Sequence, residues 1–180
     1  GPIEVNCEID WGDGSSNVYT TAGAKTHTYA VGGTYTVTIS GMLGGFSSSG
    51  TVAQRQRLAQ VVSWGSGLGL QNLSQACQTA IALTSVPDYI PPTVTYVDAM
   101  FSGCTSFNQD ISGWDTSAVT AMGAMFKDAL LFNQPIGGWD VAAVQSLTFM
   151  FQNAEDFNQS LAVWVTTAAT GMTFMFNNAG

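Results

Sequence analysis

A Met-Phe dipeptide recurs every 25 residues across the second half of the chain. It occurs at Met100-Phe101, Met125-Phe126, Met150-Phe151 and Met175-Phe176. A fixed period between 20 and 50 residues is typical of arrays in which each unit buries its apolar face against the next unit. The sequence therefore predicts a stack of 25-residue coils.

Other residues recur with the same period and indicate which side chains face the interior. The Phe-Asn-Gln tripeptide begins at Phe107, Phe132 and Phe157, and the tryptophans are Trp114, Trp139 and Trp164. Equivalent residues of stacked strands lie about 4.8 Å apart. We therefore expect Phe107, Phe132 and Phe157 to form an interior column. An alignment of Leu73, Ala76 and Cys77 with Val97, Met100 and Phe101 needs a one-residue deletion and extends the array to four or five coils.

The spacing within one unit favours a short helix. The apolar residues are separated by 3, 3, 1 and 3 positions, which places them on one helical face; they are Val119, Met122, Met125, Phe126 and Ala129. Asp115-Thr116-Ser117 precedes them and offers oxygens for an N-cap. The segment 107–112 is expected to be extended, so the predicted unit is one short strand and one short helix.

The composition limits the function classes. The chain has 12 acidic and 4 basic residues and a net charge of −8. Such a surface repels phosphate backbones and anionic lipids, which argues against nucleic acid and membrane partners. No apolar run approaches the about 20 residues that a membrane span needs, so we expect no membrane insertion in this segment. The three cysteines are not expected to form a disulfide framework, and Cys77 and Cys104 are expected in core positions of the repeat.

The first 46 residues predict a β-domain. The runs Ile3–Ile9 and Thr34–Ile39 alternate as half-buried strands do. The sequence "DWGDGSS" at Asp10 and "THTYAVGGTYTV" at Thr26 resemble the second half of PKD-type domains, an immunoglobulin-like β-sandwich whose members act as spacers. Asp10 and Asp13 are weak candidates for a metal site, and turn formation is the alternative role. His27 has no partner acid at an evident spacing, which predicts a structural role.

The repeat "MFxxAxxFNQxIxxWDxxxVxxM" is similar to that of BspA-like leucine-rich-repeat surface proteins. A PKD-like segment ahead of such repeats is typical of these proteins. The resemblance implies cell-surface or phage-borne proteins used in adhesion and host contact. Trp164 is followed by Val165, where the other units have Asp115 and Asp140, and Tyr89 replaces the usual tryptophan of the first unit.

The candidate binding residues are repeated polar and aromatic side chains that could project from the stack. They are Gln109, Gln134, Gln159, Asp110, Trp114 and Trp139. The asparagines and glutamines could instead form internal hydrogen-bond ladders, and the tryptophans could pack in the core. Asp115 and Asp140 could bind cations but fit better as helix caps.

The sequence thus predicts an α/β fold: a leucine-rich-repeat-like solenoid of short strands and short helices, preceded by a small all-β PKD-like domain. The expected boundaries are 1–46 for the β-domain, 47–58 for a linker and 59–180 for the solenoid. We expect an extracellular or cell-surface protein, or alternatively a virion protein. It would be a recognition module without catalytic activity, cofactor or metal, and would bind a host protein or glycan through the solenoid.

The alternative function is a structural assembly element of a phage or extracellular filament. The last unit stops at Gly180 without a polar cap, and terminal coils normally need one. In that reading the uncapped end would mediate self-association.

Overall fold

The computed structural model describes residues 5–47, 55–65 and 67–180. The N-terminal part is one antiparallel sheet of three strands: β1 is Val5–Asp10, β2 is Ser16–Tyr19 and β3 is Thr38–Leu43. The strand order is β2-β1-β3. The alternation at residues 34–39 predicted the last strand, but that strand begins at Thr38 and continues to Leu43. Residues 1–4 of the predicted β-domain and 48–54 of the predicted linker lie outside the described residues.

The small sheet has its own core. Cys7 and Ile9 alternate with exposed residues along β1 and are buried together with Trp11. Tyr19, Tyr29 and other partly buried residues pack against them. This alternation arises because successive strand residues point to opposite faces of the sheet.

The sheet leads directly into the repeat array. The backbone N–H of Leu43 donates to the carbonyl of Leu68 at 2.8 Å, and Gly45 forms a parallel bridge with Asn72. Leu43 also packs against both hydrophobic clusters. The third strand therefore joins the sheet to the first coil of the array.

Successive coils stack in register. Parallel backbone bridges link one residue of each coil to its equivalent in the next, in the order Asn72, Tyr96, Ala121, Ser146 and Gly171. The step from Asn72 to Tyr96 is one residue shorter than the later steps of 25, which confirms the one-residue deletion predicted from the sequence. The 25-residue period is thus the length of one coil.

The predicted α/β class is wrong. Residues 67–180 contain no α-helix, and their single helical element is the short 3₁₀ turn Ile136–Gly138. The predicted strands of each unit are also absent there, because the coils meet through isolated bridges and not through ladders of paired strands. The chain is nearly all β and turn, and not a solenoid of short strands and short helices.

Overlapping turns take the place of the predicted helix. The Met125 N–H group donates to the Met122 carbonyl, and the Ala129 N–H group donates to the Phe126 carbonyl. Both are hydrogen bonds from residue i to residue i−3. The N–H groups of Ala124 and Phe126, between these turns, donate instead to the coil that follows. Ala124 has a φ of 54°, a left-handed conformation that an α-helix cannot contain. Three-residue turns reproduce the helical spacing of apolar residues, so the pattern could not distinguish the two structures.

The core of the array consists of aromatic columns. The predicted interior column is confirmed, because Phe107, Phe132 and Phe157 are buried and successive ring centroids lie 6.1 Å apart. The phenylalanines of the Met-Phe pairs form a second column, with separations of 5.6, 5.8 and 5.5 Å; they are Phe101, Phe126, Phe151 and Phe176. Burial of such large apolar groups supplies most of the driving force for stacking.

Candidate functional site

Gln109 lies between two coils, and its side-chain amide bonds the backbone of the coil before it. The carboxamide oxygen accepts from Val86 N–H at 2.7 Å, and its amino group donates to the Val86 carbonyl at 2.9 Å. The side chain thus substitutes for a strand partner of Val86.

Gln134 and Gln159 repeat this arrangement with asparagine partners. Gln134 donates to the side-chain oxygen of Asn108 at 2.8 Å, and Gln159 donates to that of Asn133 at 2.8 Å. The same asparagine oxygens accept from the backbone of the next coil, at Asn133 and Asn158. These amides form a ladder of hydrogen bonds between coils at the surface of the stack, so a ligand would have to compete with those bonds.

Trp114 and Trp139 lie in the core and not on an exposed strip. Both are buried, and their ring centroids are 6.2 Å apart. Their indole N–H groups donate to the backbone carbonyls of Pro87 and Ile111, each at 3.1 Å. Because the rings are covered and their donors are satisfied, these residues do not contribute an open aromatic surface.

Asp110, Asp115 and Asp140 each bond the backbone two residues further on. Asp110 accepts from Ser112 N–H at 2.9 Å and Asp115 from Ser117 N–H at 3.0 Å. Hydrogen bonds from these serines lower the pKa of both carboxyls. Asp140 accepts from Ala142 N–H in the same way. The predicted helix caps are therefore caps of turns.

Asp13 and His27 form a pair that the spacing did not predict. His27 Nε2 lies 2.7 Å from Asp13 Oδ2, and the imidazole stacks on Trp11 with centroids 4.8 Å apart. Bonds from Ser15 and His27 lower the pKa of Asp13 to about 2. Asp10 accepts from Gly12 N–H at 2.8 Å. Both carboxylates thus stabilise the turn by accepting hydrogen bonds from it. The described residues contain no group of three or more side chains that could ligate a metal ion.

The turns on one side of the stack comprise residues 98–103, 123–128, 148–153 and 173–178, and we call their outer side the turn face. In the first three of these turns the residues are buried or half-buried, and exposed residues occur only in 173–178. One position of these turns has a positive φ in all five coils: Gln75, Ala99, Ala124, Phe149 and Phe174, at 61°, 52°, 54°, 59° and 54°. Positive φ is strained for any residue with a Cβ and is unusual for a bulky one. The residue at this position is Gln in the first coil, Ala in the next two and Phe in the last two.

Phe149 and Phe174 form an aromatic pair at the surface. Their rings are stacked with centroids 5.7 Å apart, and Phe174 is 58% exposed. The Lys127 ammonium lies over the Phe149 ring, 5.5 Å from its centroid. Lys127 is also the only Lys or Arg after residue 57. The turn face thus combines exposed apolar edges with the one positive charge of the array.

The sequence did not predict this pair, because the predicted binding residues lie at positions that recur from unit to unit. In this array such positions, including the Phe, Trp and Asn-Gln sets, hold the coils together. The informative signal was a position that changes from Ala to Phe between units that otherwise match. A position that varies between otherwise matching units carries a side chain that the packing between coils does not require.

A family model described as "Mycoplasma protein of unknown function, DUF285" matches residues 70–180, which is more than half of the chain. No curated protein and no solved structure matches the chain. Among the described residues, no helix has the length and apolar character required to cross a membrane.

Proposed function

The chain belongs to this family, which is associated with BspA-like surface repeat proteins, and from that premise we propose that it is a non-catalytic recognition module displayed at an extracellular surface. In this proposal the stacked coils form a rigid support, and the turn face binds a host protein or glycan. The observation that carries it is the Phe149–Phe174 pair beside Lys127, in which Phe149 is half-buried and Phe174 is exposed.

Two properties of the pair support a binding role. Bulky residues in a strained backbone conformation concentrate where function requires their position. Exposed aromatic side chains are also the residues that most often dominate binding energy, because they bury a large area with little loss of rotamer freedom. The pair stands on coils whose cores are fully packed, so little ordering would be needed on binding.

The proposal predicts that the pair can be removed without unfolding the protein. The variant Phe149→Ala/Phe174→Ala places at both positions the residue already present at 99 and 124. The matched control is Val163→Ala/Val165→Ala, which removes exposed apolar side chains elsewhere on the last coil. Wild-type protein and both variants would be applied to glycan and host-protein arrays.

We expect wild type and control to bind the same array member, and the phenylalanine variant to lose most of that binding. If the phenylalanine variant bound as tightly as wild type, the turn face would be excluded as the binding surface. A wild-type protein that binds no member in either array would count against the recognition role itself.

A further inference from the structure

A cleft opens to solvent between two neighbouring coils near the start of the array. Its volume is about 440 Å³, within the roughly 300–1,000 Å³ that is typical of small-ligand sites. One wall consists of residues 65 and 67–70, and the other consists of residues 89 and 91–93. The two walls are joined by the Thr93 hydroxyl, which donates to the Leu70 carbonyl at 2.5 Å.

The cleft lies where two coils lack the aspartate that closes the equivalent turn in later coils. Asp115 and Asp140 follow the repeated tryptophan, and each accepts a hydrogen bond from the backbone two residues further on. At the same position the two earlier coils have Gly65 and Ile90. A glycine-rich segment and a proline-rich segment thus form the walls in place of two aspartate turns.

The glycine wall has bare backbone groups. Gly67 and Gly69 line the cleft with φ values of 78° and 67°, and a Cβ at either position would meet no atom within 4 Å. Among the described residues, neither the N–H nor the carbonyl group of these two glycines has a hydrogen-bond partner. Because glycine has no side chain, a ligand can approach its backbone closely. This wall therefore offers both donors and acceptors.

The opposite wall holds a tyrosine whose backbone is anchored. Tyr89 is 43% exposed, and its carbonyl accepts from the Trp64 indole N–H at 3.0 Å. Its hydroxyl lies 3.4 Å from the Ser63 hydroxyl. Leu68 and Leu70 also line the cleft and are buried, so they form an apolar floor. A tyrosine above an apolar floor suits a ligand that has an apolar face and hydrogen-bonding groups.

The chemistry of the two walls distinguishes between classes of ligand. None of the described residues that line the cleft carries a charge, so it does not select an ion. A sugar ring has C–H faces for the tyrosine, and its hydroxyls both donate and accept, as the N–H and carbonyl groups of Gly67 and Gly69 require. A proline-rich peptide would also pack on an aromatic wall, but proline has no N–H group and would leave the glycine carbonyls unpaired.

We propose that this cleft binds a mono- or disaccharide unit of a neutral glycan. The sugar ring would stack on Tyr89, and its hydroxyls would bond the backbone of Gly67 and Gly69. The cleft is separate from the turn face, because it shares no residue with it, and it does not rest on the function proposed for that face.

The probes are four neutral disaccharides: maltose, cellobiose, lactose and N,N′-diacetylchitobiose. Each would be added to the 180-residue protein while amide shifts are followed by NMR. We expect at least one of them to shift the Gly67 and Gly69 amides in a saturable manner, with no change in strand β1. Tyr89→Ala should weaken this binding by about tenfold or more. The matched control is Tyr96→Ala, because Tyr96 is exposed to a similar extent in the same coil but does not line the cleft, and it should bind as wild type does.

Further variants separate the possible failures. Tyr89→Leu retains apolar bulk without the ring and gives the same test if the alanine variant unfolds. Phe149→Ala/Phe174→Ala should bind the disaccharide as wild type does, so a failure of the turn face and a failure of the cleft give different results. No shift with any of the four disaccharides would overturn the proposal, and so would equal binding by wild type and the Tyr89 variants. Shifts with hexaproline but not with the disaccharides would instead assign the cleft to a proline-rich peptide.

Discussion

Phe132 lies at the centre of the interior column, between Phe107 and Phe157. Its side chain is fully buried, so Phe132→Ala leaves a cavity in a stack that cannot collapse locally without shifting the neighbouring coils. We expect the free energy of unfolding to fall by about 3–5 kcal/mol. Chemical denaturation followed by tryptophan fluorescence would measure the loss.

The adjacent residue gives a matched control for this substitution. Leu131 is 47% exposed and lies in the same coil, so Leu131→Ala should change the free energy of unfolding by about 0.5 kcal/mol or less. Equal losses for the two variants would mean that the column does not carry the stability.

The substitution Ala124→Gly tests whether the positive φ at this position is strained. Its Cβ makes the left-handed conformation unfavourable by roughly 1–2 kcal/mol, whereas glycine has no such penalty. Glycine also makes the unfolded chain more flexible, which costs roughly 0.5–1 kcal/mol. We therefore expect Ala124→Gly to stabilise the protein slightly, as measured by thermal unfolding.

Ala143→Gly supplies the comparison for Ala124→Gly. Ala143 is exposed and does not have a positive φ, so the substitution adds unfolded-state flexibility without relieving strain. It should lower the melting temperature. If both variants shift the melting temperature in the same direction by the same amount, the strain at position 124 is not significant.

At the residue scale the sequence identified the core well. The 25-residue period placed Phe107, Phe132 and Phe157 in one column, because identical side chains at fixed spacing can stack only in that way. It could not identify Phe149 and Phe174 as strained surface residues, since no propensity favours phenylalanine at positive φ. It also left the role of the glutamines open, because an amide can bond backbone or ligand equally well.

At the element scale the sequence could not separate a helix from a chain of turns. Both place apolar residues three or four positions apart on one face. They differ in where the backbone N–H groups donate, and here Phe101 and Phe126 donate to the next coil. Which acceptor each N–H group uses depends on the packing of the whole stack, and the local periodicity of the sequence carries no information about that packing.

The turn at Asp13 supports a prediction about pH. The pKa of Asp13 is lowered from 3.8 to about 2 by bonds from Ser15 and His27, so its charged form is favoured in the folded state. A lowered pKa contributes stability that is present above pH 3.8 and is lost as the pH falls through about 2. We expect Asp13→Asn to be destabilising at neutral pH, and the difference from wild type to shrink as the pH approaches 2.

Denaturation of wild type and variant across this pH range would measure that difference. Asp88→Asn is the control, because Asp88 is exposed and makes no hydrogen bond or ion pair with the described residues. Its effect should be small at every pH. A difference between Asp13→Asn and wild type that stays constant down to pH 2 would show that the carboxylate charge is not responsible.

At the scale of the whole molecule, the array should tolerate the loss of one complete period. Deletion of residues 121–145 joins Thr120 to Ser146, so that Tyr96 can bridge to Ser146 as it now bridges to Ala121. Phe101 would then meet Phe151, and Phe107 would meet Phe157, which preserves both columns. Stability in stacked repeats is approximately a sum over units and their interfaces, so the shortened protein should fold with a lower free energy of unfolding.

The comparison is a deletion of residues 121–132, which removes fewer residues but shifts every later coil by about half a period. Gly138 and Val144 would then lie over Phe101 and Phe107 in place of the Phe126 and Phe132 rings, and the backbone bridges would lose their partners. We expect circular dichroism and hydrogen exchange to show a folded protein with a cooperative thermal transition for the full-period deletion, and an unfolded or aggregated chain for the shorter one. We thus predict that the larger deletion destabilises the protein less than the smaller one. If both deletions caused the same loss of folded structure, register between coils would not determine the fold.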